Sequence, residues 1–280
     1  MPAVRTLVMV TPDAFHRQLG ALGLPLRENG DYFGYSLALG SAEVPLLHLT
    51  NAFRSLANGG RFSPVVVLPT RARPAFTPAL DARAAFIVGD ILSDGNARAR
   101  TFGTDSVLAT RFWTAVKTGT SKDMRDNWAV GFSRRYSVGV WVGNASGAPM
   151  HAVSGTSGAA PIWAALMDYL HARTPSRPPA APPKLDRQRV HFAGALEASR
   201  DEWFLPGTTQ SLFTIESIAK GDLFATGIDQ KHPKSVALTG SGAVRITSPA
   251  DGTVLALDPD IPPGRQRLTL RADGPGGHWQ

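Results

Sequence analysis

Cysteine is missing altogether from these 280 residues. That excludes disulfide bonds and thiolate metal sites, and leaves the cellular compartment undecided. Long apolar runs are missing too, none approaching the roughly 18 residues that a bilayer-spanning helix requires. The opening Met1-Pro2-Ala3-Val4-Arg5 lacks the basic start and apolar core of a secretory signal. The seven histidines show no His-x-x-x-His or related ligand spacing, so no metal or other cofactor is expected. No glycine-rich loop runs into Gly-Lys-Ser/Thr, which removes support for nucleotide binding. Lysine and arginine (29) outnumber aspartate and glutamate (22), for a net charge of +7. These basic residues are scattered rather than blocked, so nucleic acid is not an expected partner.

What is present organises itself around Phe112-Trp113-Thr114-Ala115-Val116-Lys117-Thr118-Gly119-Thr120-Ser121. An apolar, strand-like run ends in a lysine, hydroxyls and a glycine. The glycine admits a ligand's backbone because no Cβ stands in the way, and the lysine and hydroxyls can hold an anion. Two further strands are predicted, Asn127 to Arg134 and Tyr136 to Val142, so that the Lys-Thr-Gly strand opens an antiparallel meander. In the third strand Val138, Val140 and Val142 share one face. Gly139, Trp141 and Gly143 share the other, where small residues mark close packing of a helix. Pro161 to His171 is the candidate helix, with Ile162, Leu166 and Tyr169 or Leu170 as its buried stripe. A helix on an antiparallel sheet gives an α+β domain.

Before the meander the chain reads as mainly helical. Thr11-Pro12-Asp13 starts a helix that Gly23 stops. Leu46, Leu49, Phe53 and Leu56 form a helical stripe ended by Asn58-Gly59-Gly60, with Asn51 exposed or capping. Val65 to Leu68 is expected as an edge strand or extended connection, Asp81 to Leu92 as a helix, and Asn96 to Thr110 as a loop. After the meander, Thr174 to Lys184 holds five prolines; as a polyproline-type linker it could span about 30 Å. Glu202 to Leu205 reads as a short strand. Ala243 to Thr247, Thr253 to Leu257 and Gln266 to Arg271 read as three strands separated by turns.

Three stretches carry a family likeness: Lys117 to Phe132 (KTGTSKDMRDNWAVGF), Gly34 to Gly40 (GYSLALG) and Leu49 to Gly60 (LTNAFRSLANGG). They resemble the transpeptidase domain of class A penicillin-binding proteins, of the 1C type. The resemblance implies a truncated, β-lactamase-like transpeptidase domain of α+β class at residues 1–173. It further implies a Pro-rich linker at 174–184, a connecting segment with a short strand at 185–242, and an incomplete all-β immunoglobulin-like domain at 243–280. By the same resemblance Lys117, Thr118, Gly119 and Thr120 bind the carboxylate of a D-alanyl-D-alanine stem peptide or of a β-lactam. The N–H of Thr120 would be half of an oxyanion hole.

The family's acyl transfer also needs a serine nucleophile with a lysine one helical turn later, and a Ser-x-Asn motif. Ser-x-Asn does not occur in the sequence. Ser-x-x-Lys occurs only as Ser217-Ile218-Ala219-Lys220, on the wrong side of Lys117 and beyond the linker. Gly155-Thr156-Ser157-Gly158-Ala159 misses a nucleophile elbow by its final glycine. Met1 to Arg5 resembles the segment that follows Ser-x-Asn in relatives, so the chain reads as a fragment without a catalytic residue. The expectation is peptidoglycan-biosynthetic ancestry without activity alone, the alternative being a non-catalytic module that docks on a complementary N-terminal fragment or a cell-wall partner. The family works at the periplasmic face of the cytoplasmic membrane. With neither signal nor anchor, this chain as written would be cytoplasmic.

Overall fold

The computed structural model describes residues 2–68, 74–102, 106–193, 198–214, 245–248 and 271–273. Two compact units divide the chain, Met1–Gly221 and Asp222–Gln280. Helices α1 (Pro2–Val10), α2 (Pro12–Ala21), α3 (Gly30–Phe33) and α4 (Leu46–Ala57) lead the first unit. Next come a minimal antiparallel pair, β1 (Arg61–Phe62) with β2 (Thr77–Pro78), and helices α5 (Ala82–Ser93) and α6 (Gly95–Phe102). The central sheet is β3 (Ala115–Thr120), β4 (Asp126–Phe132) and β5 (Ser137–Gly143), antiparallel in the order β3-β4-β5. Helix α7 (Ala160–His171) follows, and then β6 (Asp186–Phe192), β7 (Arg200–Phe204) and β8 (Leu212–Phe213) in the order β7-β6-β8. In the second unit, β9 (Arg245–Ser248) pairs antiparallel with β10 (Arg271–Asp273). Ser217–Lys220 and Thr253–Leu257 lie outside the described residues.

The meander forms as its alternation predicts, and helices cover both of its faces. Val116, Ala129 and Val140 on one face pack with Trp163 and Met167 of α7, both fully buried. Burying one such aliphatic side chain stabilises by about 1.5–3 kcal/mol. Gly131 makes room for α7: a Cβ there would stand 2.7 Å from Cζ2 of Trp163. The Trp163 indole N–H donates to Val138 O at 3.2 Å. On the opposite face α4 approaches β5 so closely that a Cβ on Gly139 would lie 2.0 Å from Thr50 Oγ1. Phe132, on that same face, meets α5 at Gly89.

These contacts correct the helix assignments. The small residue Gly139 marks α4, whereas α7 lies on the valine face. The stripe of α7 that turns inward is Ala160, Trp163, Ala164, Met167 and His171; Ile162, Leu166 and Tyr169 are exposed. Helix α7 is apolar nearly all round, so spacing alone left two faces to choose from, and the Trp163–Gly131 fit chooses. Asn51 is likewise buried, at 6% exposure, and donates to Ser63 O at 3.1 Å. It sits on the deep side of α4 with Ala52 and Ser55, while the leucine stripe is half-buried. Val65 to Leu68 is exposed and pairs with no strand among the described residues, so of the two expectations it is the extended connection. Part of the expected loop after Asn96 is helical: the Asp94 carboxylate caps α6 by accepting from Asn96 N and Ala97 N.

The proline-rich segment starts docked. Ser176 O accepts from Trp113 N and Ser176 Oγ from Arg134 N, both at 3.2 Å. His171 is buried beside it, bonded through Nε2 to Ser133 Oγ and through Nδ1 to Thr174 O. The short strand expected near Glu202 is β7, an edge of a three-stranded sheet whose central β6 pairs antiparallel with β7 and parallel with β8. Its Trp203 meets Phe86 of α5 edge to face at 5.6 Å between centroids. Among the described residues no helix is long and apolar enough to cross a membrane.

Two outcomes follow. Gly139→Ala forces α4 off β5 and is expected to lower stability by about 1–3 kcal/mol in a denaturant titration; an unchanged midpoint would contradict the packing. Burial, then the like charges of Glu202 and Asp94, push the Asp90 carboxyl up from its ordinary value, against the pull of Arg187. A carboxyl raised on folding contributes stability below its unfolded-state pKa and loses it as pH rises through the folded value. Asp90→Asn is therefore expected to raise the melting temperature at neutral pH, with the gain shrinking as pH falls through the carboxylate range. A gain that grew in acid would contradict this.

Candidate anion-binding site at the end of the Lys-Thr-Gly strand

Strand β3 is an edge of its sheet, bonded only to β4 among the described residues. Register fixes which side chains share a face. Thr118 lies opposite Ala129, and Thr120 opposite Asn127, on the α7 side. Lys117 and Gly119, opposite Val130 and Trp128, take the other side. The four residues singled out in the sequence are therefore contiguous on one exposed edge, but the lysine leaves the strand on the face opposite the two hydroxyls.

Lys117 donates to Thr118 O at 2.6 Å, and no carboxylate pairs with it among the described residues. Its ammonium is partly shielded from water, and this burial holds it below the usual lysine range. A cation with no carboxylate beside it favours an incoming anion. Thr120 Oγ1 accepts from Gly155 N at 3.0 Å, which leaves its own proton for an acceptor on a ligand. Gly119 needs no special conformation, and a Cβ there would meet nothing closer than Trp128 Cβ at 3.6 Å. Packing within the protein does not demand a glycine at 119.

Gly155 is a different case. A Cβ at this position would stand 2.6 Å from Gly119 O and 2.8 Å from Trp128 O. The helical turn Gly155–Ala159 thus rests directly on the backbone of β3 and β4 before running into α7. Ser154 caps the turn and Ser157 answers it: Ser154 N donates to Ser157 Oγ at 2.9 Å, and Ser157 N to Ser154 Oγ at 3.4 Å. As a sequence this stretch reads only as a near-miss of a nucleophile elbow. The Ser-x-x-Ser pattern ahead of Pro161 is a helix-start signal, and it carries the information that was missed.

The turn joining β3 to β4 is strained. Asp123 and Met124 have φ of 59° and 55°, a region that disfavours non-glycine residues. Polar contacts hold it: Ser121 Oγ donates to Asp126 Oδ2 at 2.8 Å and accepts from Asp126 N at 2.9 Å. Asn127, at 0% exposure, donates through Nδ2 to Met124 O at 3.3 Å. Among the described residues no lysine amine hydrogen-bonds a serine hydroxyl, and no cluster of His, Asp and Glu could hold a metal ion.

Comparison with known proteins agrees with this geometry. Residues 233–280 match the Penicillin-Binding Protein C-terminus Family. The chain is 32% identical over 180 residues to penicillin-binding protein 1C of Escherichia coli, a match covering 64% of this chain and 23% of that protein. It therefore spans about a quarter of that relative's length. Its fold is similar to penicillin-binding protein 1A of Haemophilus influenzae, with a TM-score of 0.61 at 18% identity, covering 75% of this chain and 39% of the other. It is similar also to the PonA1 protein of Mycobacterium tuberculosis in complex with penicillin V, with a TM-score of 0.50 at 20% identity over 64% and 55% of the two chains. In its α+β fold, its Lys-Thr-Gly edge strand and its sequence, the chain is thus similar to part of the class A penicillin-binding proteins.

Proposed function

We propose that Lys117, Thr118, Gly119 and Thr120 form the carboxylate-gripping half of a D,D-transpeptidase site that serves peptidoglycan biosynthesis. The observation carrying this reading is the exposed β3 edge, where an unpaired lysine and a free hydroxyl proton flank a glycine that the fold does not require. A ligand carboxylate accepts from the Lys117 ammonium and the Thr118 and Thr120 hydroxyls, and charge-assisted bonds of this kind are the stronger ones. The ligand's reacting carbonyl then lies near Thr120 N–H, a donor suited to a developing oxyanion.

Catalysis needs a nucleophile that these 280 residues do not supply upstream of Lys117. In this reading the chain binds a stem peptide or β-lactam reversibly and forms no acyl-enzyme. Residues 174–184 act as the linker, and residues 243–280 are part of an immunoglobulin-like domain, a reading supported by the family match over 233–280. The place of action is the periplasmic face of the membrane, as for the family.

A second reading, a docking module, is favoured by the outer edge of β5, which has no strand partner among the described residues. Beside it a groove of about 380 Å³ runs between Leu46, Leu47 and Thr50 of α4 and Ser137, Val138 and Gly139 of β5. An unpaired edge of this kind accepts an extended segment, here a complementary fragment carrying the missing serine motifs.

Incubation with a fluorescent penicillin separates these possibilities. The expected result is reversible binding, weakened about tenfold or more by Lys117→Ala, and no labelled band after denaturation. A covalent band from the chain alone would overturn the inactive reading, and no binding at all would overturn the site. Labelling that appears only on co-expression with a segment bearing Ser-x-x-Lys and Ser-x-Asn would establish the docking reading.

A further inference from the structure

Gly119, Trp128 and Trp141 lie directly opposite one another across β3, β4 and β5, forming a single row on the Lys117 face of the sheet. We propose that Trp128 and Trp141 are an aromatic wall that receives the flat acyl group of a ligand whose carboxylate is held at the Lys-Thr-Gly strand. This inference rests on the carboxylate-binding reading above and adds to it the class of group recognised next to the carboxylate.

The row is built rigidly. Trp141 Nε1 donates to Asp126 Oδ1 at 2.9 Å, and the other carboxylate oxygen is occupied by Ser121. The Trp141 indole folds over Gly143, where a Cβ would meet Cζ2. Trp128 leans on Trp141 with ring centroids 6.5 Å apart and planes inclined at 59°. Both rings are half-buried, which fixes their orientation and leaves part of each surface accessible. Rings held in this way lose little freedom when a ligand stacks on them.

The path from the edge of β3 to the wall is open at one residue. Trp128 Cβ and Cδ1 lie 3.6 and 3.8 Å from where a Gly119 side chain would begin, so the absent side chain leaves a gap beside the indole. Lys117 stands on the same face two residues before that gap, and exposed Lys122 lies beyond the strand's end. A cation next to an aromatic platform fits an anion that carries a planar group, and no carboxylate pairs with Lys117 among the described residues.

Penicillin V and 6-aminopenicillanic acid test this, because they share a carboxylate and bicyclic core but only the first has a phenoxyacetyl group. Equilibrium titration of the full chain is expected to give about tenfold tighter binding of penicillin V. Trp128→Leu, which keeps apolar bulk, should bring penicillin V down to the level of 6-aminopenicillanic acid and leave the latter unchanged. Trp128→Phe should retain most of the difference, and thermal melts check that each variant folds. Equal affinity of the two ligands for the native chain, or a tenfold preference surviving in Trp128→Leu, overturns the wall and leaves the carboxylate site standing. Binding of neither ligand overturns both.

Discussion

One hydrogen bond ties the turn ahead of α7 to the end of the Lys-Thr-Gly strand: the amide of Gly155 donates to the Thr120 hydroxyl. Forming it requires the chain to pass within touching distance of the β3 and β4 backbones, where any Cβ would collide with Gly119 O and Trp128 O. The contact seats on the sheet the turn from which α7 starts. It also orients the Thr120 hydroxyl, committing its lone pair inward and its proton outward. Structural packing and ligand recognition thus share one side chain.

The two faces of β3 have separate duties. Toward α7, Val116 is core and Thr118 and Thr120 prolong that row to the strand's end. On the other side Lys117 and Gly119 lead out to the tryptophan row, beyond the region of β5 that α4 covers through Gly139. A strand buried at one end and polar at the other is stable only if its polar end is held by something else. Here the reciprocal Ser154–Ser157 cap and the Ser121–Asp126 pair do this, at the cost of backbone strain at Asp123 and Met124.

Much of this was legible in the sequence because period-two alternation survives translation into a sheet. The meander, its strand order and the position of Lys-Thr-Gly at a strand end all follow from it. Faces of helices were harder. Helix α7 carries apolar residues on nearly every side, and Ile162, Leu166 and Tyr169 keep the spacing of a buried stripe while lying in solvent. What decides is the complementarity of Trp163 to Gly131, a contact between residues 32 positions apart that no local period encodes. Asn51 escaped for the same reason, since its partner Ser63 O lies in the following segment. At the site, the glycine of Lys-Thr-Gly drew attention, whereas the glycine with the stricter steric demand is Gly155.

The turn seated on the Lys-Thr-Gly end preforms it, and Gly155→Ala removes that support. A methyl group there must lift the Gly155–Ala159 turn off the sheet. The expected result is a melting temperature lower by several degrees, as a loss of about 1–3 kcal/mol would produce, together with loss of penicillin V binding. A Gly155→Ala chain that melts and binds like the native one would contradict it.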